Sequence, residues 1–367
     1  MRCADSGKMD ASLVKLLGSE GSACAVVRVQ SPRQLGMLSR HFDVAARFPF
    51  INSVGVRLSR SDAERLVAMQ EVVSVTAQGR VRALADAASG VPSASEGNDG
   101  YAADTLGVRG LTGRGVRLAV LDTGVSPHLD LSVPKDRIAV FRDFTGEGEF
   151  PYDDNGHGTF VAGVAAGGGT LSAGEVRGVA PEAEIVAVKV IGASGETGAF
   201  TILEGMQWLF DNCEKLGVKV ACMSFGADPL PSSDPLKMGA DMLSRRGITV
   251  VCASGNSGAG TLKSPGVSRE VISVGAVDER LKVAEFTSSG VYQGVYRPDV
   301  CAPGVAVRGV DAGGTYAVMS GTSVAAPYVA GACCLLHERY AALTPREAKR
   351  MIVASSRVVD GARVFKL

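Results

Sequence analysis

The strongest constraint on this chain is a series of almost uninterrupted apolar runs: VRLAVLDTG, EIVAVKVIG, VKVACMSFG, ITVVCASGN and VISVGAV. A strand that offers no polar face to water must be covered on both sides, and this is the signature of a buried parallel sheet. Between the runs stand helix-like stretches, HGTFVAGVAAG, FTILEGMQWLFDNCEKLG and DPLKMGADMLSRRG. The alternation predicts an α/β fold of three layers around a mostly parallel central sheet. Functional groups in such folds sit at the carboxyl ends of the strands.

A different pattern precedes this region. CAVVRVQ reads as a strand, SPRQLGMLSRHF as a helix, VAARFPF and SVGVRLS as two strands, SRSDAERLVAMQ as a helix capped by Ser59 or Ser61, and VVSVTA as a last strand. The order β-α-β-β-α-β is that of a small ferredoxin-like α+β unit. Residues Ala83 to Gly100, rich in Ala, Ser, Gly and acid, have little to bury and read as an exposed linker. The expected organisation is residues 1–84 as an N-terminal domain, 85–100 as linker and 101–367 as the main domain.

The charge count narrows the partners. Lys and Arg total 38 and so do Asp and Glu; without a net field, polyanion binding is not expected. No apolar run reaches membrane-spanning length, and the first residues, charged at Arg2, Asp5, Lys8, Asp10 and Lys15, lack the core of a signal peptide. The eight cysteines fall without CxxC spacing, which suits a reducing compartment and predicts a cytoplasmic address. Phosphate-binding glycine motifs are missing, so a nucleotide-binding reading has no footing.

Three short stretches carry chemistry. Asp122 follows an apolar strand in VLDTG, His157 stands between glycines in DDNGHGT, and Ser323 opens a small-residue helix in SGTSVAAP. A serine hydroxyl is a weak nucleophile and needs an imidazole to take its proton and return it to the leaving group. A buried carboxylate must hold that imidazole in one tautomer. In ASGNSG, Asn256 follows a strand in a turn, where its side-chain amide can donate to a tetrahedral oxyanion. Each piece alone has a plainer reading: DTG also occurs in aspartic-protease loops, a single histidine is usually structural, and SGTS and SGN are ordinary turns.

Together, in the order Asp, His, Ser, the motifs DTG, GHGT, GTSxAxP and SGN resemble the subtilisin, or subtilase, family of serine proteases. The similarity runs from about Leu106 to about Ala354 and is closest in style to members lacking a secretory signal. It implies an endopeptidase acting through an acyl-enzyme without a cofactor; the alternative is a non-catalytic peptide-binding regulator. It implies polypeptide substrates laid between two backbone segments, here Gly195 to Phe200 and Ser224, Phe225 and Gly226, by strand addition. Phe200 and Phe225 either wall subsites or are core aromatics. Ala253, Ser254 and Gly255 then line the pocket for the residue preceding the scissile bond, with Lys263 at its floor, where it either favours acidic residues or points to solvent.

The resemblance also gives the N-terminal unit a meaning. It is similar to the family's propeptide, an intramolecular inhibitor whose tail crosses the active site, with self-cleavage expected near Leu84-Ala85 or further along the linker; an ordinary accessory domain is the alternative. Many members hold calcium in a loop after the histidine helix. Here GGGTLSAGEVRG supplies only Glu175, and Asp130 alone resembles a surviving ligand, so no metal site is expected beyond a weak one. Cys252 near Asn256, and Cys333 and Cys334 on the serine helix, read as small buried hydrophobes, with Cys252 a possible target of thiol reagents.

Overall fold

The computed structural model describes residues 7–87, 101–146, 148–231 and 233–367. The N-terminal unit is built from α1 (Ala11–Glu20), β1 (Ser22–Val29), α2 (Leu35–His41), β2 (Asp43–Phe48), β3 (Ser53–Ser59), α3 (Arg60–Ala68) and β4 (Val72–Ala77). Its sheet is antiparallel in the order β2-β3-β1-β4, as in a ferredoxin-like unit. Helix α1 has no counterpart in the sequence reading, which saw only charges there; Leu13 and Leu17, four residues apart, are its buried face, and the Asp10 side chain caps it.

Alternation along the strands decides what each face covers. Ala25, Val27 and Val29 of β1 point to Leu13, Leu38 and Leu66 of the unit's own helices. Val26, with Phe48, Phe50 and Ile51, instead shares one apolar cluster with Phe200, Met206 and Leu209 of the main domain. The contact is specific. Phe48 packs on Phe200 at 5.9 Å between ring centres and Phe50 on Phe210 at 5.7 Å. Gln207 Oε1 accepts from the Phe50 N–H at 3.0 Å, and Ser74 donates to Ser233 Oγ at 2.8 Å.

Two short strands follow, β5 (Arg80–Ala83) and β6 (Asp86–Ala87), on either side of Leu84 and Ala85. Residues 83–87 are thus held in place where the sequence suggested an exposed linker; residues 88–100, which carry the other expected cleavage positions, lie outside the described residues.

The main domain continues with α4 (Tyr101–Leu106), β7 (Arg117–Asp122), α5 (Leu129–Ser132), β8 (Ile138–Asp143), α6 (His157–Ala166), β9 (Glu184–Lys189), β10 (Glu196–Gly198), α7 (Ala199–Leu216), β11 (Val218–Met223), β12 (Phe225–Gly226), α8 (Pro235–Arg245), β13 (Thr249–Ala253) and β14 (Ile272–Val277). After these come a hairpin of β15 (Gly290–Tyr292) and β16 (Val295–Arg297), then β17 (Val300–Pro303), β18 (Val307–Val310), β19 (Tyr316–Ser320), α9 (Thr322–Arg339), α10 (Pro345–Ala354), β20 (Arg357–Val359) and β21 (Ala362–Val364). A nine-stranded sheet runs β20-β21-β17-β14-β13-β11-β7-β9-β8, parallel throughout except for β20 at its edge.

Helices α6 and α9 cover one face in a cluster with Val120, Cys222 and Val274, while α7 and α8 cover the other with Ala119, Val188 and Val250. This is the three-layer α/β fold that the uninterrupted apolar strands require. Chain order reverses at β7, whose neighbours are β9 on one side and β11 on the other, so the carboxyl end of β7 opens on a crevice. Asp122 is its last residue. Among the described residues, no helix is long and apolar enough to cross a membrane.

Candidate active site

Asp122 leaves β7 completely buried and turns at once: Thr123 N–H donates to Asp122 Oδ1 at 2.7 Å, and Gly124 takes φ +115°, open to glycine. The turn receives the start of α6. Thr123 Oγ1 accepts from the Gly158 N–H at 2.8 Å, and Gly158 lies so close that a Cβ there would strike Gly124 O and stand 3.1 Å from Asp122 Cβ. Asp153 fixes the same helix end by accepting from the N–H groups of Gly156 (2.8 Å) and Thr159 (2.8 Å). The glycines of DTG and GHGT are therefore spacing devices that bring two backbones together.

That approach sets His157 Nδ1 2.6 Å from Asp122 Oδ1. Burial pulls the imidazole's pKa down, but the charge of Asp122 and its hydrogen bond outweigh burial, with Asp153 adding to them, so His157 sits above its ordinary value. Its Nε2 is buried and has no hydrogen-bond partner among the described residues. A wholly buried ammonium braces the turn from below: Lys189 donates to Thr123 O (2.6 Å), Ile191 O (3.0 Å) and Asp154 Oδ1 (2.6 Å).

Ser323 enters at the second residue of α9. Pro327, inside the helix, has no N–H to give to the carbonyl four residues back, which is that of Ser323. Ser224 supplies the missing donor, its hydroxyl reaching Ser323 O at 3.0 Å. Thr322 orients Asn256: Thr322 N and Oγ1 both donate to Asn256 Oδ1, at 2.9 and 2.8 Å, which leaves the Asn256 NH₂ facing outward. That NH₂ donates to Leu84 O at 2.6 Å. Ser323 Oγ donates to the same oxygen at short range, and Ser323 N–H lies 3.4 Å from it.

The chain around Leu84 is held as an added strand on both sides. β5 lies antiparallel between β10 and β12, with Val81 opposite Thr197, Arg82 opposite Glu196 and Gly226, and Ala83 opposite Phe225. Ala83 N–H donates to Gly195 O (3.0 Å) and Leu84 N–H to Ser224 O (3.2 Å). Beyond Ala85, β6 pairs with Met319 and Ser320 of β19. A Cβ on Gly321 would collide with Leu84 O, which explains the glycine preceding Thr322.

The expected substrate-binding residues divide into two groups. Gly195, Ser224, Phe225 and Gly226 meet the strand through backbone atoms. Phe225 is fully buried in the apolar cluster that also contains Val81, and Phe200 in that cluster packs on Phe48 of the N-terminal unit. Ala253 ends β13, and Ser254 and Gly255 follow it next to Lys263, whose N–H donates to Ser254 O at 3.0 Å. Lys263 does not point free into solvent, nor is its charge unclaimed: Nζ sits 2.6 Å from Asp228 Oδ1.

Asp130, the one residue resembling a metal ligand, is buried with both carboxylate oxygens taken, one by Leu171 N–H (2.8 Å) and one by Tyr316 OH (2.6 Å). Glu175 is exposed, and the described residues contain no cluster of His, Cys, Asp or Glu able to hold a metal ion. The seven described cysteines are free. Burial pushes the Cys222 thiol up to about 12 and that of Cys252 well above its usual range, so both behave as small hydrophobes. Thr322, Lys189, Thr123 and Asp228 were given no role from sequence; Thr322 and Thr123 stand inside the motifs, while Lys189 and Asp228 carry no local signal.

Comparison with known proteins gives the family and a fold neighbour. The profile described as "Subtilase family" covers residues 113–366. The chain is 36% identical to serine protease AprX of Bacillus subtilis over 84% of its own length and 74% of that protein. It is 44% identical to subtilisin Savinase of Lederbergia lenta over 63% of its length and 79% of that protein. Among solved structures, a cold-adapted subtilisin-like serine proteinase superposes with a TM-score of 0.61 at 28% identity, covering 70% of this chain and 91% of that one.

Proposed function

This chain belongs to the subtilase family of serine proteases, and from that premise we propose that it is an endopeptidase made as a zymogen, with Asp122, His157 and Ser323 as its triad and the Leu84–Ala85 bond as its first substrate. The observation that carries the reading is the convergence on Leu84 O of Asn256 NH₂ at 2.6 Å, the Ser323 hydroxyl and the Ser323 N–H, with strands pairing on both sides of that bond.

In the proposed mechanism the Ser323 hydroxyl gives up its bond to Leu84 O and turns to His157. Its proton passes to His157 Nε2 while Oγ bonds to the Leu84 carbonyl carbon. The oxygen becomes an oxyanion between Asn256 NH₂ and Ser323 N–H. Collapse breaks the bond to Ala85 nitrogen, which takes the proton from His157. Water, deprotonated in turn by His157, attacks the ester; His157 returns that proton to Ser323 Oγ as the ester bond breaks, and the Leu84 acid ionises to a carboxylate with residues 1–84 still docked over the site as an inhibitor. Other polypeptides would bind along the same strands. No step calls for a cofactor.

Intact mass of the wild-type and Ser323→Ala chains tests this reading, together with fluorophosphonate labelling. The expected result is a wild-type fragment beginning at Ala85, no such fragment from the variant, and label on Ser323 once residues 1–84 are gone. A wild-type chain that remains whole would remove the zymogen reading. A freed main domain that takes no label would make it a non-catalytic peptide-binding regulator.

A further inference from the structure

The side chain of Leu84, the residue before the proposed scissile bond, rests in a pocket whose composition is unusual for an apolar guest. A Cβ on Gly226 would lie 3.0 Å from Leu84 Cδ1 and 2.7 Å from Lys263 Cβ, and a Cβ on Gly255 would lie 2.7 Å from Lys263 Cγ. The aliphatic stem of Lys263 and the Leu84 methyl therefore both lie against Gly226, and Gly255 stands close to the same stem. Its ammonium is drawn out to Asp228 at 2.6 Å. Asp228 is 89% exposed and the Lys263 side chain 20%. A cleft of about 370 Å³ lined by Asp228, Pro229, Thr261, Lys263 and Tyr292 opens beside the pair, giving the ammonium room to turn.

We propose that Asp228 masks Lys263 and thereby sets the specificity of this protease: with the pair intact the pocket accepts a medium-sized aliphatic residue and refuses acidic ones. The inference rests on the protease reading above. An acidic side chain entering the pocket would meet Lys263 only by displacing Asp228, and would then share the ammonium with a second carboxylate close by; like charges there cancel the gain. An exposed ion pair contributes little to stability, so Asp228 is removable without disturbing the fold, and its loss leaves a lysine cation facing the guest residue. Charge-assisted pairing to that cation then rewards glutamate.

The test uses the full chain, incubated until its intact mass and its rate on peptide both stop changing, and two chromogenic tetrapeptides that differ only in Leu or Glu before the scissile bond. Wild type is expected to prefer Leu, Asp228→Asn to raise the Glu-to-Leu ratio of kcat/KM about tenfold or more, and the double variant Asp228→Asn, Lys263→Ala to lose that gain. An unmoved ratio in Asp228→Asn, with a melting temperature matching wild type, overturns the proposal, as does a gain that persists without Lys263. If wild type cuts neither peptide nor itself, the protease reading fails instead.

Discussion

Thr322 grips one oxygen of the Asn256 amide with two donors, its N–H at 2.9 Å and its hydroxyl at 2.8 Å, and so aims the opposite NH₂ at the carbonyl of Leu84. Asn256→Ala is expected to lower kcat on the order of 10²–10³ with little change in KM; that factor is taken over from subtilisin itself, where it was measured, and is not calculated from these distances. Thr322→Val keeps the backbone grip and loses the hydroxyl, so a smaller loss, again in kcat, is expected. Steady-state kinetics on one peptide for the three proteins checks both, and a loss confined to KM would count against the oxyanion role.

Under the proposed mechanism, the pair between His157 and Asp122 should set the acid limb of the rate profile. The base must be neutral, and its pKa lies above the ordinary value of about 6.5, so kcat/KM should rise with pH through a midpoint above that value. In Asp122→Asn the burial that lowers the pKa remains while the raising charge is gone, so the midpoint moves down as kcat falls on the order of 10⁴. The same raised pKa adds stability that is full below about 6.5 and is lost as pH climbs through the folded value. Melting of Ser323→Ala and of Asp122→Asn, Ser323→Ala at pH 5 and pH 9 reads that difference, which should be larger at pH 5.

Gly158 tolerates no side chain. Its Cβ would enter the backbone of Gly124, and neither neighbour is a flexible chain end. Gly158→Ala should cost about 1–3 kcal/mol of stability and should remove most activity by pushing His157 away from Asp122. Denaturant unfolding and peptide hydrolysis measure the two effects; an active, fully stable variant would show that the helix can retreat without cost.

Asp130 leads to a prediction about metal removal. Both of its oxygens already accept hydrogen bonds, and Arg137 donates to the Asp130 carbonyl and to Ala166 O beside it. Excess chelator should shift the melting temperature by no more than about 1 °C, a change worth roughly 0.8 kcal/mol in a chain of this size. Tyr316→Phe, which leaves one buried carboxylate oxygen unpaired, should cost about 1–3 kcal/mol. Thermal melts of both proteins with and without chelator decide the matter, and a large chelator effect on wild type would point to a bound ion.

What could be read from the sequence was local. Asp122, His157 and Ser323 announce themselves because the glycines that let two backbones touch stand next to them in the chain, and the sheet announces itself because strands buried on both faces have nothing polar in them. The rest depends on partners far apart in sequence. Lys189 reads as one polar residue in an apolar run until Asp154 and the carbonyl of Thr123 are seen around it. For Lys263 the resemblance offered the floor of a pocket or solvent, and nothing in the sequence paired it with Asp228, 35 positions earlier. Asp130 finds Tyr316 across 186 positions. Helix α1 escaped notice because the charges around Leu13 and Leu17 obscure their four-residue spacing.

The apolar cluster that joins Val26, Phe48, Phe50 and Val81 to the main domain has a consequence for timing. Breaking one peptide bond after Leu84 uncovers none of that surface, so the proposed cut would leave the newly made enzyme silent. Its delay before first activity would be the lifetime of a docked complex, a dissociation clock separate from the speed of hydrolysis. Phe50→Ala, remote from the triad, should shorten the lag seen in a progress curve while leaving the final rate alone; a lag that does not change would place the slow step in the chemistry.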